Sequence, residues 1–330
     1  MRIDFFSAQK YDRQFFDALN HQQHQLHYWD AQLNAETATL AQGADAVCAF
    51  VNDQLDAACL SVLQQLGVRW IALRCAGFNQ VDLAAAARLG LPVVRVPAYS
   101  PEAVAEHTLA LMLTLNRHTH RAFNRVRENN FQLQGLLGFT LHRKTVGLIG
   151  TGQIGMATAR ILAGFGCRIL AYDPYPQSEL TALEGQYVSQ AELFAQSDVI
   201  SLHCPLTPEN HHLVNAKSLA QMKPGVMLVN TSRGGLIDTQ AALDALKSGQ
   251  LGYLALDVYE QESSLFFRDL SDSLPTDDLL ARLMTFPNVL ITGHQGFFTH
   301  EALTEIAQVT LRNLEQLEAT GRCDNQVGLL

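Results

Sequence analysis

Short apolar runs alternate with helix-like patterns through the first hundred residues. The apolar runs predict strands over residues 3–6, 26–29, 46–51, 68–74 and 91–96. Apolar residues at helical spacing predict helices over residues 11–20, 55–66 and 81–89. Because strands that alternate with helices pair in parallel, this part of the chain is predicted to form an α/β domain. It has no glycine-rich phosphate-binding turn, so we expect it to bind something other than a nucleotide.

A longer helix is predicted from Pro101 to about Arg117, between this domain and the rest of the chain. Ser100 is a suitable N-cap, and Glu102 places an acid in the first turn. The apolar stripe of this helix is best explained as core and consists of Val104, Leu111, Met112 and Leu115. Residues 118–121 are expected to form a solvated or interface face. Their two histidines match no zinc spacing, so no metal is expected.

The alternation resumes in the second half of the chain. Predicted strands cover residues 145–149, 168–172, 199–202, 226–230, 253–256 and 289–292. A last helix is predicted over residues 301–317, with Thr299 as its N-cap. Because this helix follows the last strand, we expect it to return to the first domain, which would then consist of residues 1–100 and 299–330. Residues 101–298 would form the second domain.

The strand at residues 145–149 opens the most informative motif of the chain. It runs into the sequence GTGQIG at residues 150–155, and a helical pattern follows. Gly150 permits a tight turn, Gly152 lets the backbone approach a pyrophosphate, and Gly155 lets the helix pack close to the strand. The N-terminus of the helix offers N–H groups to phosphate. The motif therefore predicts a dinucleotide-binding βαβ unit.

Asp173 ends the second strand of this unit, eighteen residues after Gly155. A carboxylate here can accept hydrogen bonds from both ribose hydroxyls of an adenosine, and it would repel a 2′-phosphate. The cofactor is therefore predicted to be NAD rather than NADP.

Polar or special residues follow each of the strands in the second half. They are the glycine turn, Asp173, His203-Cys204-Pro205, Thr231-Ser232-Arg233, Asp257 and Gly293-His294-Gln295. Since the carboxyl ends of parallel strands line one crevice of an open doubly wound sheet, these residues are expected to meet there.

A nicotinamide enzyme also needs a group that gives or takes a proton, and histidine titrates near neutrality. His294 and His203 both follow strands, and we favour His294, because His203 precedes a Cys-Pro pair whose backbone is better suited to flanking the cofactor. Three acids after the fifth strand can supply a carboxylate to orient the imidazole: Asp257, Glu260 and Glu262. Arg233 also follows a strand, and its planar guanidinium suits a small carboxylate substrate.

Composition limits the other classes of function. The chain has 330 residues, a net charge of −9 and no run of Lys or Arg, which argues against a nucleic-acid partner. No stretch approaches eighteen uninterrupted apolar residues, so no membrane span is expected. The six cysteines lack CxxC spacing, and the N-terminus lacks the pattern of a signal peptide. Both features favour a reducing, cytoplasmic compartment.

Seven collinear motifs carry a resemblance to a known family. They are RCAGFNQVD at 74–82, RVPAYSPEAVAEH at 95–107, GTGQIG at 150–155, HCPLTPEN at 203–210, VNTSRGGLID at 229–238, LDVYEQE at 256–262 and GHQGFFT at 293–299. On these motifs the chain resembles the D-isomer-specific 2-hydroxyacid dehydrogenases over essentially its whole length, and within them the fermentative D-lactate dehydrogenases. The resemblance implies an α/β fold of two doubly wound parallel-sheet domains, a Rossmann NAD domain and a flavodoxin-like substrate domain, with a cleft between them.

The resemblance also implies roles for individual residues. Arg233 would bind and polarise a 2-oxo acid, His294 would donate the proton, and Glu262 would be its paired carboxylate. Besides the glycine turn, NAD contacts are implied for Gln153, Ile154, Asp173, Cys204, Pro205, Asn210, Thr231, Ser232 and Asp257. The residues implied to bind the substrate are Ala76, Gly77, Tyr99, Arg233, His294 and Phe298.

The implied activity is reduction of pyruvate to D-lactate with NADH by a homodimer or homotetramer. Two alternatives stay open. A larger 2-oxo acid could be the substrate, although Tyr99, Phe297 and Phe298 favour a small one. A few relatives of this fold are NADH-sensing corepressors that recruit protein partners and can retain the catalytic residues, but the chain has no long disordered arms of the kind that would support this reading.

Overall fold

The computed structural model describes residues 1–274 and 276–328. The chain divides into two compact units, one formed by Met1–Ser100 with the chain from Phe298 onward, and the other by Pro101–Phe297. The boundary at which the chain returns to the first unit lies one residue earlier than the sequence predicted, so Phe298 belongs to the first unit. The two units are described separately below.

The first unit is built around a parallel sheet. Strands β1 to β5 and helices α1 to α3 are, in chain order, β1 Arg2–Phe5, α1 Lys10–Asn20, β2 Gln25–Tyr28, β3 Ala46–Ala49, α2 Ala57–Gln65, β4 Trp70–Leu73, α3 Leu83–Leu89 and β5 Val93–Arg95. The strands pair in the order β5-β4-β3-β1-β2, which is the flavodoxin-like order. The first two predicted strands are displaced by one residue. The other three extend beyond β3, β4 and β5, because buried apolar residues such as Val68 and Val96 continue past the paired segment.

The second unit carries a larger sheet. Its elements are α4 Pro101–Arg117, α5 Thr119–Arg127, β6 Thr145–Ile149, α6 Gln153–Gly164, β7 Arg168–Tyr172, α7 Ser178–Ala182, β8 Gln186–Tyr187, α8 Gln190–Gln196, β9 Val199–Leu202, α9 Ala216–Gln221, β10 Val226–Asn230, α10 Thr239–Ser248, β11 Leu251–Leu256, α11 Asp278–Met284 and β12 Val289–Ile291. Seven parallel strands follow the order β12-β11-β10-β9-β6-β7-β8. The strand order therefore reverses between β6 and β9, and ligands of such sheets bind at this point. The predicted fold class is confirmed.

Helices α4 and α5 of the second unit differ in how much of each is buried. The stripe of α4 is buried as predicted. By contrast, α5 has no buried residue, and it begins after His118, whose φ of 51° is left-handed. Its two large apolar residues, Phe123 and Val126, are both exposed, and two positions in nine residues are too few to predict a helix from an apolar stripe.

The chain then returns to the first unit with α12, His300–Thr320, and a short strand β13, Gln326–Val327. Thr299 is the N-cap of α12, and its hydroxyl accepts a hydrogen bond of 3.2 Å from the N–H of Ala302, as predicted. β13 pairs antiparallel with β5. Both β8 and β13 are two residues long, too short to show strand alternation, and neither was predicted. Within the described ranges, no helix has both the length and the apolar content that crossing a membrane requires.

Arg74 is a buried cation that ties together the ends of several elements in the first unit. Its side chain is 1% exposed, and its Nε lies 3.2 Å from Oδ1 of Asp12 on α1. Its Nη2 also donates hydrogen bonds of 2.9 Å to the carbonyl oxygens of Phe6 and Ser7, which follow β1. Because an unpaired charge is strongly disfavoured in a protein interior, Asp12 is expected to be important for the stability of this unit.

We predict that Asp12→Ala lowers the free energy of unfolding of the first unit by about 3 kcal/mol, because it leaves the Arg74 charge without its closest acid. The chain has two tryptophans, Trp29 and Trp70, and both lie in this unit, so urea unfolding followed by tryptophan fluorescence reports on it selectively.

The matched control for this prediction is Asp30→Ala. Asp30 lies 3.9 Å from Arg13 in an ion pair whose two side chains are 90% and 50% exposed. Its loss should change the free energy of unfolding by less than about 0.5 kcal/mol. Equal effects of the two substitutions would show that the buried pair has no special role.

Candidate active site

The glycine turn between β6 and α6 has the geometry that a dinucleotide requires. Gly150 has a φ of +97°, and a Cβ on it would lie 2.6 Å from the carbonyl carbon of His203. A Cβ on Gly155 would collide with the carbonyl oxygen of Gly150, whereas a Cβ on Gly152 would meet open space. The turn is thus tightly packed around Gly150 and Gly155 and open at Gly152. Gly152 directly precedes the N-terminus of α6, which begins with Gln153 and Ile154. The residues fit a bound pyrophosphate.

Asp173 is held directly beside this turn. One of its carboxylate oxygens accepts hydrogen bonds from the N–H and the hydroxyl of Thr151, at 2.6 and 3.1 Å. The other oxygen accepts a hydrogen bond of 2.8 Å from the N–H of Tyr175. A negative charge is therefore fixed at the end of β7, next to the turn, where it disfavours a cofactor that carries a 2′-phosphate.

Residues after β9 and β10 connect the loops around the turn. The hydroxyl of Ser232 donates a 2.6 Å hydrogen bond to the carbonyl oxygen of Cys204, and Asn210 donates one of 2.7 Å to that of Pro205. The hydroxyl of Thr231 lies 2.9 Å from that of Thr108 on α4. These side chains hold the loops in place, and their predicted contacts with NAD stay predictions.

His203 and His294 differ in the way each is surrounded. Nε2 of His203 lies 2.9 Å from the hydroxyl of Ser201, and burial lowers the pKa of His203 to about 4. Such a histidine is neutral at physiological pH and is a poor proton donor. His294 instead places Nδ1 2.8 Å from Oε1 of Glu262, with 16% and 19% of the two side chains exposed.

Of the three acids left open by the sequence, Glu262 is the one that contacts His294. Its second oxygen, Oε2, accepts a 2.9 Å hydrogen bond from the N–H of Tyr259, so the carboxylate is held from two sides. Glu260 points elsewhere: its oxygens lie 2.6 Å from Nε2 of His212 and 3.0 Å from the hydroxyl of Thr239. The His294–Glu262 arrangement leaves Nε2 of the imidazole as the nitrogen able to face a substrate.

Asp257, the third acid, is buried and holds the loop that carries His294. It accepts hydrogen bonds from the N–H groups of Gln295 and Gly296, at 2.9 and 2.8 Å, and from the hydroxyl of Thr292. Nε2 of His107 lies 3.2 Å away. Burial acts to raise the pKa of Asp257, but the hydrogen bonds from His107, Thr292 and Gln295 outweigh it and hold the pKa below its ordinary value. A direct contact of Asp257 with NAD stays a prediction.

His107 was not singled out from the sequence, although one signal was present. It lies on α4 three residues after Val104 and four before Leu111, in line with an apolar stripe. A polar side chain in such a stripe needs a hydrogen-bonding partner when it is buried. That partner, Asp257, is 150 positions away along the chain.

Arg233 follows β10, on a turn packed against the segment that carries Glu262. A Cβ on Gly234 would collide with the carbonyl group of Tyr259, so the two backbones are in direct contact. The side chain of Asn230 donates a 2.8 Å hydrogen bond to the carbonyl oxygen of Arg233, and Nη1 of Arg233 donates one of 2.6 Å to that of Ser232. The turn is therefore well fixed, and Arg233 shares one sheet edge with His294 and Glu262.

The other residues predicted to bind the substrate lie in the first unit. Nη1 of Arg95 donates a 2.8 Å hydrogen bond to the carbonyl oxygen of Ala76, which holds the loop containing Gly77. The ring of Phe298 is in edge contact with Tyr11, with ring centroids 4.8 Å apart, and Phe298 is 50% exposed. Tyr99 lies between β5 and α4. The roles of Ala76, Gly77, Tyr99 and Phe298 stay predictions.

Comparison with known proteins places this chain in a family. Residues 109–296 match the family profile described as D-isomer specific 2-hydroxyacid dehydrogenase, NAD binding domain. The 2-hydroxyacid dehydrogenase A of Aspergillus oryzae is 56% identical, over 99% of this chain and 95% of that protein. The D-lactate dehydrogenase of Escherichia coli is 54% identical, over 99% of this chain and 100% of that protein. A solved structure described as the pyruvate reductase of Chlamydomonas reinhardtii has a TM-score of 0.93 at 45% identity and 98% coverage of both chains.

The profile covers more than half of the chain, and these relatives extend over nearly all of it. The family profile and the fit of the glycine turn agree on the cofactor, NAD. The chain belongs to the D-isomer specific 2-hydroxyacid dehydrogenases, a family of NAD-dependent oxidoreductases.

Proposed function

We propose that the protein is an NAD-dependent D-lactate dehydrogenase that reduces pyruvate to D-lactate. The observation that carries the proposal is the pairing of His294 with Glu262 at 2.8 Å, at the sheet edge that also holds Arg233 and the glycine turn. The names of the Escherichia coli and Chlamydomonas proteins support pyruvate as the substrate.

His294 and Glu262 act together as the proton donor in this proposal. NADH, when bound, supplies the hydride to the carbonyl carbon of the substrate. Glu262 holds the imidazole through Nδ1, so that Nε2 of protonated His294 gives its proton to the carbonyl oxygen. The hydrogen bond from the N–H of Tyr259 keeps the carboxylate in position while this happens.

Arg233 binds the 2-oxo acid with its guanidinium, which offers paired donors to the carboxylate and carbonyl oxygens. We extend the proposal to the backbone N–H groups around Ala76 and Gly77 as further ligands of the substrate carboxylate, and to Tyr99 and Phe298 as residues that contact the substrate. The six free cysteines support a reducing compartment, and we place the enzyme in the cytoplasm.

The decisive experiment is NADH oxidation with pyruvate, followed by chiral analysis of the product. We expect D-lactate and no L-lactate. Phenylpyruvate and 2-oxoisocaproate, assayed in parallel, should give lower kcat/KM, and a higher value for either would make a larger 2-oxo acid the substrate. If no 2-oxo acid supports NADH oxidation while NADH still binds, an NADH-sensing binding protein becomes the better account.

His294→Gln should slow pyruvate reduction by roughly a hundredfold or more, because it removes the general acid. Binding of NADH, followed by its fluorescence, should be unchanged. The control is His27→Gln, which alters an exposed histidine on β2. Normal turnover of the His294 variant would remove His294 from the mechanism, whereas a slow His27 variant would point to a general loss of folding.

We also propose that a second copy of the chain covers an apolar face formed by α5 and the loop after it. The exposed apolar residues of this face are Phe123, Val126, Phe131, Leu133 and Leu137, between 50% and 88% exposed. Arg125 on α5 donates a 2.7 Å hydrogen bond to the carbonyl oxygen of Gln134, which holds helix and loop together. Exposed apolar residues concentrated in one segment are typical of a subunit interface, and a twofold axis would pair this face with itself.

Light scattering after size-exclusion chromatography should show a dimer or a larger even-numbered assembly. Replacing Leu133 and Leu137 together by Asp should shift the protein to smaller species, because it buries charge in the interface. The control is Tyr175→Asp, since Tyr175 is 81% exposed and lies outside this face. An unchanged mass for the Leu133/Leu137 variant would show that another surface joins the subunits.

A further inference from the structure

We propose that His211, His212 and Glu260 form a binding site for a divalent transition-metal ion, with zinc as the preferred ion. One ligand atom from each of these residues can be chosen so that all three lie within 4.8 Å of one another. The three residues come from two loops of the second unit and have no part in the dehydrogenase chemistry derived above. The proposal therefore stands or falls independently of the proposed function.

The donor set has the chemistry of a zinc site. Two imidazole nitrogens with one carboxylate oxygen is a combination that binds zinc in known proteins, with a water as the remaining ligand. Magnesium and calcium prefer oxygen ligands, so two imidazoles select against them. The side chains of His212 and Glu260 are 33% and 26% exposed, so an ion and its water can reach the cluster.

The backbone holds the histidines in place without a metal. The N–H of His212 donates a 2.9 Å hydrogen bond to the carbonyl oxygen of Gly235, and its own carbonyl oxygen accepts one of 2.8 Å from Asn215. His212 has a φ of +53°, a left-handed conformation. The two imidazole rings stack with their centroids 3.9 Å apart. Both imidazole rings therefore lie side by side on the segment between β9 and α9.

Glu260 has the outer support that metal-binding carboxylates have. Its Oε1 lies 2.6 Å from Nε2 of His212, and its Oε2 accepts a 3.0 Å hydrogen bond from the hydroxyl of Thr239. The Thr239 contact orients the carboxylate from behind. Two ligands of a tetrahedral zinc ion lie about 3.3 Å apart, given metal–ligand distances near 2 Å. The ion would thus take the place of the hydrogen bond between His212 and Glu260, which opens slightly, while the nitrogen of His211 closes from within 4.8 Å to the same spacing.

A bound ion would link two loops near the active site. Glu260 lies two residues before Glu262, and the segment 259–260 is in contact with Gly234 of the Arg233 turn. His212 is tied to the same turn through Gly235. Because only the folded chain brings the three ligands together, the ion should stabilise the native state.

The test uses the full-length chain without an affinity tag, treated with EDTA and then titrated with Zn²⁺ by calorimetry. We expect one ion per chain, and an unfolding temperature that rises with Zn²⁺. His211→Ala, at an exposed position, should weaken binding roughly tenfold or more and abolish the thermal shift, and Glu260→Gln should do the same. Co²⁺ should show the visible absorption of a low-symmetry site in the wild type and lose it in both variants.

His27→Ala is the control for nonspecific binding by an exposed histidine, and it should behave like the wild type. NADH binding by each variant confirms that it is folded. The proposal is wrong if the wild type takes up no stoichiometric zinc, or if His211→Ala binds zinc as tightly as the wild type. In either case, the pair formed by His212 and Glu260 would be only a hydrogen bond between two loops.

Discussion

Asp257 accepts hydrogen bonds from Thr292, Gln295, Gly296 and His107, in a place where an unpartnered carboxylate would strongly destabilise the fold. Three of these donors flank His294, whose φ of 54° is left-handed. A residue in such a conformation persists only when its surroundings over-determine it. The orientation of the proposed proton donor therefore depends on a carboxylate to which it is not itself hydrogen-bonded.

Three acids within six residues of one loop have three different tasks. Asp257 holds the loop of His294, Glu260 pairs with His212, and Glu262 pairs with His294 itself. Each is fixed by its own donors, so the acids are not interchangeable. The division also explains how the proposed catalytic pair and the proposed metal site can lie close together without sharing a ligand.

Close backbone contacts at the strand ends hold this arrangement together. The turn at Gly150 packs against the carbonyl group of His203, and Gly234 packs against that of Tyr259. A side chain at either glycine would push two loops apart. Gly234 thus resembles Gly150 in its structural task, although Gly234 lies outside the glycine-rich motif. Both contacts join loops that leave neighbouring strands, β6 with β9 and β10 with β11.

Periodicity and local motifs were enough to predict the α/β class, most strands, the NAD-binding unit and the residues at the sheet edge. The reason is that the carboxyl ends of parallel strands share one edge whatever the order in which the strands pair. The residues themselves left Asp257, Glu260 and Glu262 open as the partner of His294. The resemblance implied Glu262, and the structure shows that Glu262 is in contact with His294. The three acids lie in an irregular loop, where differences of a few ångströms determine which carboxylate contacts His294. No repeating sequence pattern describes such a loop. The partnership of His107 with Asp257 was equally hidden, since only folding brings together residues 150 positions apart. The exposed helix α5 was not predicted, because its two large apolar residues, Phe123 and Val126, are too few to form a helical stripe.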